Sequence, residues 1–485
     1  MTALQDGRAL AAGGETASAE LYNPGSGTWS PTTPLSESRR DHAAVRLNDG
    51  KVLVTGGFGT ALPLRSAEIY DPGEGTWSSC SASGTPGAGC PGAMTAARFG
   101  HTATLLNDGR VLLVGGSAEG TPAAEVYDPA TGRFSPVSGG QRRTEHEATR
   151  LGDGKVLITG GNTTEGITAS AEIYDPSTNI LSPTGALATR RAYHTATLLG
   201  NGKVLVAGGG DTPGGGGARS SAELYSPNTG TWSATGSPMK DGRFEHTATR
   251  LANGTVLLAG GFGPTVEGEQ RLASSELYDP ATNSFTRTDS LHEARYQHEA
   301  ALLGGGKVLV AGGAPTAELF DPAATLPAPT VSAVEPRRGR AAGGTRVVIT
   351  GSGFRGASEV LFGPRAASSF IVNSSTQITA RAPGGTQGTV HVRVENSGGP
   401  SPVSPADEFT FVATAGGAWA FTGFMRDGRL SHTMTLLRSG KVLATGSQLD
   451  AGPNDSRSST ETYDPLTKTW TARTPMRFPR EEHTA

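Results

Sequence analysis

Arg98-Phe99-Gly100-His101-Thr102-Ala103-Thr104-Leu105-Leu106-Asn107-Asp108-Gly109-Arg110-Val111-Leu112-Leu113-Val114-Gly115-Gly116 is the stretch that decides the fold. Two short apolar runs flank Asn107-Asp108-Gly109, residues that tolerate the positive φ of a tight hairpin. The stretch therefore predicts two antiparallel strands. Ala124-Glu125-Val126-Tyr127 reads as a third strand, stopped at Asp128-Pro129 because proline cannot donate to a ladder. Gly132-Arg133-Phe134-Ser135 reads as a fourth.

This unit recurs eight times. Its double glycine reappears at Gly13, Gly56, Gly160, Gly208, Gly260 and Gly312, and decays to Gly446-Ser447 in the last copy. Successive copies lie 43 to 59 residues apart, with one much longer gap before the last. The fourth strand carries a large apolar residue in every copy: Trp29, Trp77, Phe134, Leu181, Trp232, Phe285, Trp419 and Trp470. A four-stranded sheet this small cannot bury both faces alone, so radial stacking of the copies is expected. The tryptophans then read as packing between neighbouring sheets, and not as a ligand cage.

The double glycine, the tyrosine after it and the tryptophan beyond resemble the Kelch repeat. The resemblance covers most of the chain and looks like the bacterial Kelch proteins and the central domain of galactose oxidase. It implies an all-β, Kelch-type β-propeller of eight four-stranded blades, with seven as the alternative.

The long gap has its own text. Pro329-Thr330-Val331-Ser332-Ala333-Val334, Arg346-Val347-Val348-Ile349-Thr350, Val360-Leu361-Phe362 and Gly388-Thr389-Val390-His391-Val392-Arg393-Val394 are strand-like runs spaced by Gly/Pro turns. They predict a small β-sandwich, and they resemble an IPT/TIG immunoglobulin-like domain. The domains expected are a first propeller part at 1–325, the inserted sandwich at 326–413 and a closing propeller part at 414–485. Blade seven's third strand precedes the insertion. Its fourth is expected after it, at Ala418-Trp419-Ala420-Phe421. Met1 falls inside strand one of a repeat, and Arg480-Glu481-Glu482-His483-Thr484 supplies the missing beginning. Two readings follow: the two ends close one blade, or the chain is a piece of a longer secreted protein.

Gly contributes 70 residues and Pro 31, which suits many tight turns. A net charge of −3 gives no field that would steer the chain to nucleic acid or anionic lipid. Arg337, Arg338 and Arg340 form one basic cluster in the sandwich, read as a solvated loop. No apolar run is long enough to span a membrane. Cys80 and Cys90 share one Gly/Ser/Pro-rich loop and predict a local disulfide, hence an oxidising compartment; two unrelated free thiols are the alternative.

Eight of the ten histidines occupy one repeat position, each preceded three residues earlier by an arginine. A carboxylate, such as Glu125 or Glu223, also recurs on strand three. Arg–Glu pairing inside the fold is the structural expectation. The functional expectation is a binding ring of Arg98, Arg143, Arg191, Arg243 and Arg295 at the mouth of the central channel. Loops after the double glycines differ sharply in length, as on a scaffold that displays a binding surface.

The resemblance to galactose oxidase also implies a test. There an adjacent Tyr-His pair binds copper, and Tyr193-His194 matches it. That family's second histidine domain and cysteine-crosslinked tyrosine have no counterpart here. The reading is therefore a non-catalytic, secreted or surface-exposed protein without cofactor or metal, binding protein or glycan through its loops. A copper-radical oxidase is the runner-up. An intracellular adaptor comes third, since no helical segment for a recruiting domain is present.

Overall fold

The computed structural model describes residues 1–78, 91–116, 122–212, 216–265, 268–413, 425, 433–448 and 456–477. It divides into two compact units, Met1–Ala413 and Thr414–Ala485.

Strand two of each repeat explains the architecture of the first unit. Val52–Thr55, Val111–Val114, Val156–Thr159, Val204–Ala207 and Val256–Ala259 are buried along their whole length. A strand apolar on both faces needs cover on both faces. Each is flanked within its sheet by strands one and three, with strand four outermost. Its faces pack on the sheets of neighbouring repeats: Leu112, Val114 and Val126 of the third copy share one cluster with Val156, Ile158 and Tyr174 of the fourth.

The first strands of successive copies lie side by side: Thr2–Ala3, Ala43–Arg46, Thr102–Leu105, Glu147–Arg150, Thr195–Leu198, Thr247–Arg250 and Glu299–Leu302. The last of these returns to the first, so the seven strands form a closed ring. Seven copies thus make the propeller ring, and they are called blades one to seven. The eighth copy forms a four-stranded sheet in the second unit, with strands Thr433–Leu436, Val442–Gln448, Ser456–Asp464 and Thr469–Arg473.

The fourth-strand aromatics pack as expected. Trp29, Trp77 and Trp232 lie 5.2, 5.0 and 4.9 Å from Tyr22, Tyr70 and Tyr225, their cross-strand partners. Trp77 also donates to the Thr33 carbonyl beside blade one (2.8 Å), and Trp232 to Gly185 beside blade four (2.6 Å). Blade seven has three strands among the described residues, ending at Glu318–Phe320. The expected strand at Ala418–Phe421 lies outside the described residues, as do Cys80 and Cys90.

Residues Thr330 to Val412 form the sandwich, two sheets closed over Val334, Ile349, Phe362, Ile378, Phe409 and neighbours. Arg338–Arg340 is a short strand pairing in parallel with Thr410–Val412, rather than a loop. Within this unit the sandwich is fixed beside blade six. The Asp289 carboxylate accepts from Ser397 N (3.1 Å) and Oγ (2.8 Å), and Ser290 Oγ donates to the Ala357 carbonyl (2.9 Å). Among the described residues no helix is long and apolar enough to cross a membrane.

Candidate functional site at the channel mouth

The repeated arginines are structural. Arg98, Arg143, Arg191, Arg243 and Arg295 are all buried, so they do not line the mouth as the sequence suggested. Each reaches the strand-three glutamate of its own blade: Glu125, Glu172, Glu223, Glu276 and Glu318, at 2.8 to 3.0 Å. The physical reason is desolvation, since a buried guanidinium needs a carboxylate beside it. Glu223 also accepts from Ala188 N and Thr189 N, so the pair clamps the segment leading into strand one.

The seam between blades uses the same residues. The Arg191 carbonyl accepts from Gly161 N of blade four (2.9 Å), and Arg143, Arg243 and Arg295 accept from Gly116, Gly209 and Gly261. Gly160, the first of its pair, has φ +57, and a Cβ there would collide with the Arg191 carbonyl. That close approach is why the motif demands glycine.

The repeat histidine completes the seam. His101, His146, His194, His246 and His298 are buried, and each shares a hydrogen bond through Nε2 with a threonine of the preceding blade at 2.9 to 3.1 Å. The partners are Thr55, Thr102, Thr159, Thr195 and Thr247. Thr102, Thr195 and Thr247 start strand one, whereas Thr55 and Thr159 end strand two. Those two positions face each other as a cross-strand rung: Ala43 with Thr55, Thr102 with Val114, Glu147 with Thr159, Thr195 with Ala207, Thr247 with Ala259. Every one of these rungs carries one hydroxyl, from one side or the other. Burial drives the His101 and His146 pKa values down to about 3, with the neighbouring arginines adding to it. The imidazoles are therefore neutral seam components.

One position remains for function, the residue immediately before each histidine. Asp41, Gly100, Glu145, Tyr193, Glu245 and Gln297 all have φ between +51 and +60. Five of the six are not glycine, an uncommon state for such residues. Their backbones join blade to blade: Gly100 N to Asp41 O, Tyr193 N to Glu145 O, Glu245 N to Tyr193 O, and Gln297 N to Glu245 O, at 2.8 to 3.2 Å. Backbone conformation is constant here, while the side chain is acid, amide, phenol or nothing.

These side chains share one space. Glu145 is pushed up to about 7, by burial first and then by Asp41 and Glu245. Glu245 is also raised by burial and Asp41, though Gln297 Nε2 donates to it at 2.9 Å. Glu147, freed from the seam because Thr159 supplies its rung's hydroxyl, is pushed up to about 8 by burial, Glu299 and Glu145. Burial and the same carboxylates push the Tyr193 phenol up to about 12.

An aromatic arc borders this acidic centre. Tyr193 and Phe244 have ring centroids 6.3 Å apart, Phe244 and Phe262 5.5 Å, and Phe262 and Tyr296 5.5 Å. The Arg271 guanidinium lies 5.0 Å from the Tyr296 centroid. Phe262 and Arg271 belong to a hairpin, Phe262–Thr265 with Gly268–Arg271, inserted after the blade-six double glycine. Across the mouth, Phe58 and Phe99 meet edge to face at 5.7 Å, with Arg40 5.1 Å from the Phe58 centroid.

The residues do not fit copper. His194 Nε2 is engaged by Thr159 in the seam, while Tyr193 faces the mouth, so the adjacent pair diverges. Burial, and then the carboxylates Glu145, Glu245 and Asp41, oppose the Tyr193 phenolate that a copper ligand would require. Among the described residues no three His, Cys, Asp or Glu are grouped to hold a metal.

Comparison with known proteins agrees with the architecture. A Kelch motif matches residues 39–82 and an IPT/TIG domain residues 329–411. No curated protein matches the chain. Among solved structures it is similar to a fungal alcohol oxidase of the AA5 family, determined in complex with copper. That likeness has a TM-score of 0.54 at 18% identity and covers 84% of this chain and 95% of the other. It shows a shared propeller fold.

Proposed function

We propose that this chain is a non-catalytic recognition module, secreted or exposed at a cell surface, that binds a protein or carbohydrate ligand through the mouth face of its propeller. One observation carries the reading. The position before each seam histidine keeps a left-handed backbone while its side chain changes from blade to blade. A purely architectural position would repeat its residue, as the arginines and histidines do. The hairpin after the blade-six double glycine brings Phe262 and Arg271 to the same mouth, and loops on a rigid scaffold are where recognition concentrates.

A glycan array and a pull-down with intact protein test this. The control is a variant with its blade-five and blade-six loops after Gly209 and Gly261 shortened. Ligands retained by the intact chain and lost by the control are the expected result. Ligands kept equally by both would remove the mouth face from consideration. The oxidase reading has only the shared fold behind it, and the placement of His194 in the seam argues against it.

A further inference from the structure

We propose that the aromatic arc is a docking surface for an extended polypeptide segment carrying lysine or arginine, whose cation enters the mouth between the rings and the carboxylates. This rests on the recognition reading above and names the ligand class.

The arc is an apolar surface looking for a partner. Tyr193, Phe262 and Tyr296 are only half-buried, and with Phe244 they run ring to ring across blades five, six and seven. Phe244 is buried beneath the train, and the three partly exposed rings span three blades, too long a platform for one small amine, so an extended chain suits them better. Aromatic rings also attract cations through their faces, and Arg271 already uses the Tyr296 ring this way at the outer end.

Charge decides what the segment carries. Asp41, Glu145, Tyr193, Glu245 and Gln297 occupy the same place in their blades, the last four joined backbone to backbone, and Glu147 and Glu299 start the first strands beside them, so five carboxylates lie within reach of one another's charge around the mouth. Among the described residues none of these carboxylates has a salt-bridge partner. The rim cations are engaged elsewhere: Arg40 with Phe58 and Glu15, Arg271 with Tyr296 and the Gly313 carbonyl. Glu145, Glu147 and Glu245 are partly buried, and uncompensated carboxylates in such surroundings repel one another. A lysine ammonium or arginine guanidinium relieves that repulsion, and a neutral sugar does not. Complementarity of this kind gives specificity and speeds encounter.

The test uses full-length protein and fluorescence anisotropy with two labelled peptides. One alternates lysine with tyrosine; the other replaces every lysine by glutamine. A neutral glycan panel runs beside them. The lysine peptide is expected to bind at least ten-fold tighter than the glutamine peptide. Glu145→Gln and Phe262→Leu should each weaken it several-fold. Glu74→Gln, the same substitution on an exposed turn, should not. Unfolding midpoints of all variants check that the fold is intact. Equal binding of the two peptides, or loss with Glu74→Gln as large as with Glu145→Gln, overturns the proposal. A glycan that is lost with Phe262→Leu and indifferent to Glu145→Gln overturns the cation assignment but leaves recognition at the mouth standing. Binding of every ligand unaffected by both mouth variants overturns both readings.

Discussion

The seam and the mouth are built from adjacent residues, and they obey opposite rules. His194 lies in the seam, buried, neutral and bonded to Thr159. Tyr193, one residue earlier, faces the mouth on a left-handed backbone. Along the ring the histidine repeats unchanged, whereas its neighbour is Asp41, Gly100, Glu145, Tyr193, Glu245 or Gln297 in turn. Constancy marks residues that hold blades together. Variation on a constant backbone marks residues that meet something else.

The contrast breaks most severely at the seam's ion pair. Arg191→Ala leaves Glu223 buried without its cation and is expected to cost about 3–5 kcal/mol. Urea unfolding would show the lowered midpoint, while ligand binding by whatever remains folded should be unchanged. An effect on binding without one on stability would put the arginine back at the mouth.

The rung makes a subtler test. Thr159→Val leaves the His194 Nε2 without its hydroxyl partner and should cost about 1–3 kcal/mol. Adding Glu147→Thr returns a hydroxyl to the opposite side of the same rung, as Thr102, Thr195 and Thr247 supply it elsewhere. The double variant should recover most of the loss in denaturant midpoint. If it is no better than the single one, the two sides are not interchangeable.

The smallest expected effect separates the regions by pH. Glu145 and Glu147 titrate near 7 and 8 in the fold, above their ordinary 4.5. Their contribution is full below about pH 4.5 and is lost as pH rises through 7 and 8. His101 and His146 titrate near 3, below their ordinary 6.5. Their contribution is full above 6.5 and is lost as pH falls toward 3. Stability should therefore decline on both sides of mildly acidic pH. Glu147→Gln should flatten the alkaline limb, leave the acid limb alone, and change stability little at pH 5, where the protonated carboxyl and the amide that replaces it are both neutral. Unfolding midpoints measured from pH 4 to 9 would check this.

Much of the scaffold was legible in the residues. The double glycine, the Asp-Pro stops and the fourth-strand aromatics mark strands and their order, because turn chemistry and packing leave strong local signatures. The Arg98–Glu125 type of pair was legible as two residues repeating together. Its burial was not, because a repeat reveals partners without revealing depth. Ring size was hidden too: counting copies counts units of text, whereas closure depends on which first strands touch. The mouth position escaped because a positive φ at Asp41 or Tyr193 leaves no mark in a single residue. Gly100 at the equivalent place was the available clue, together with the change of chemistry beside an unchanging histidine.

The cross-strand rung has one more consequence. A histidine asks its neighbour for a single hydroxyl, and two facing positions can answer. Where strand two answers, the facing strand-one position is released from the joint, as Glu147 is. Such a wall has tenancy to spare: a new side chain can move into the channel at one rung after another while the joint behind it keeps its bolt. Diversification of the lining and preservation of the ring are thereby uncoupled, one blade at a time.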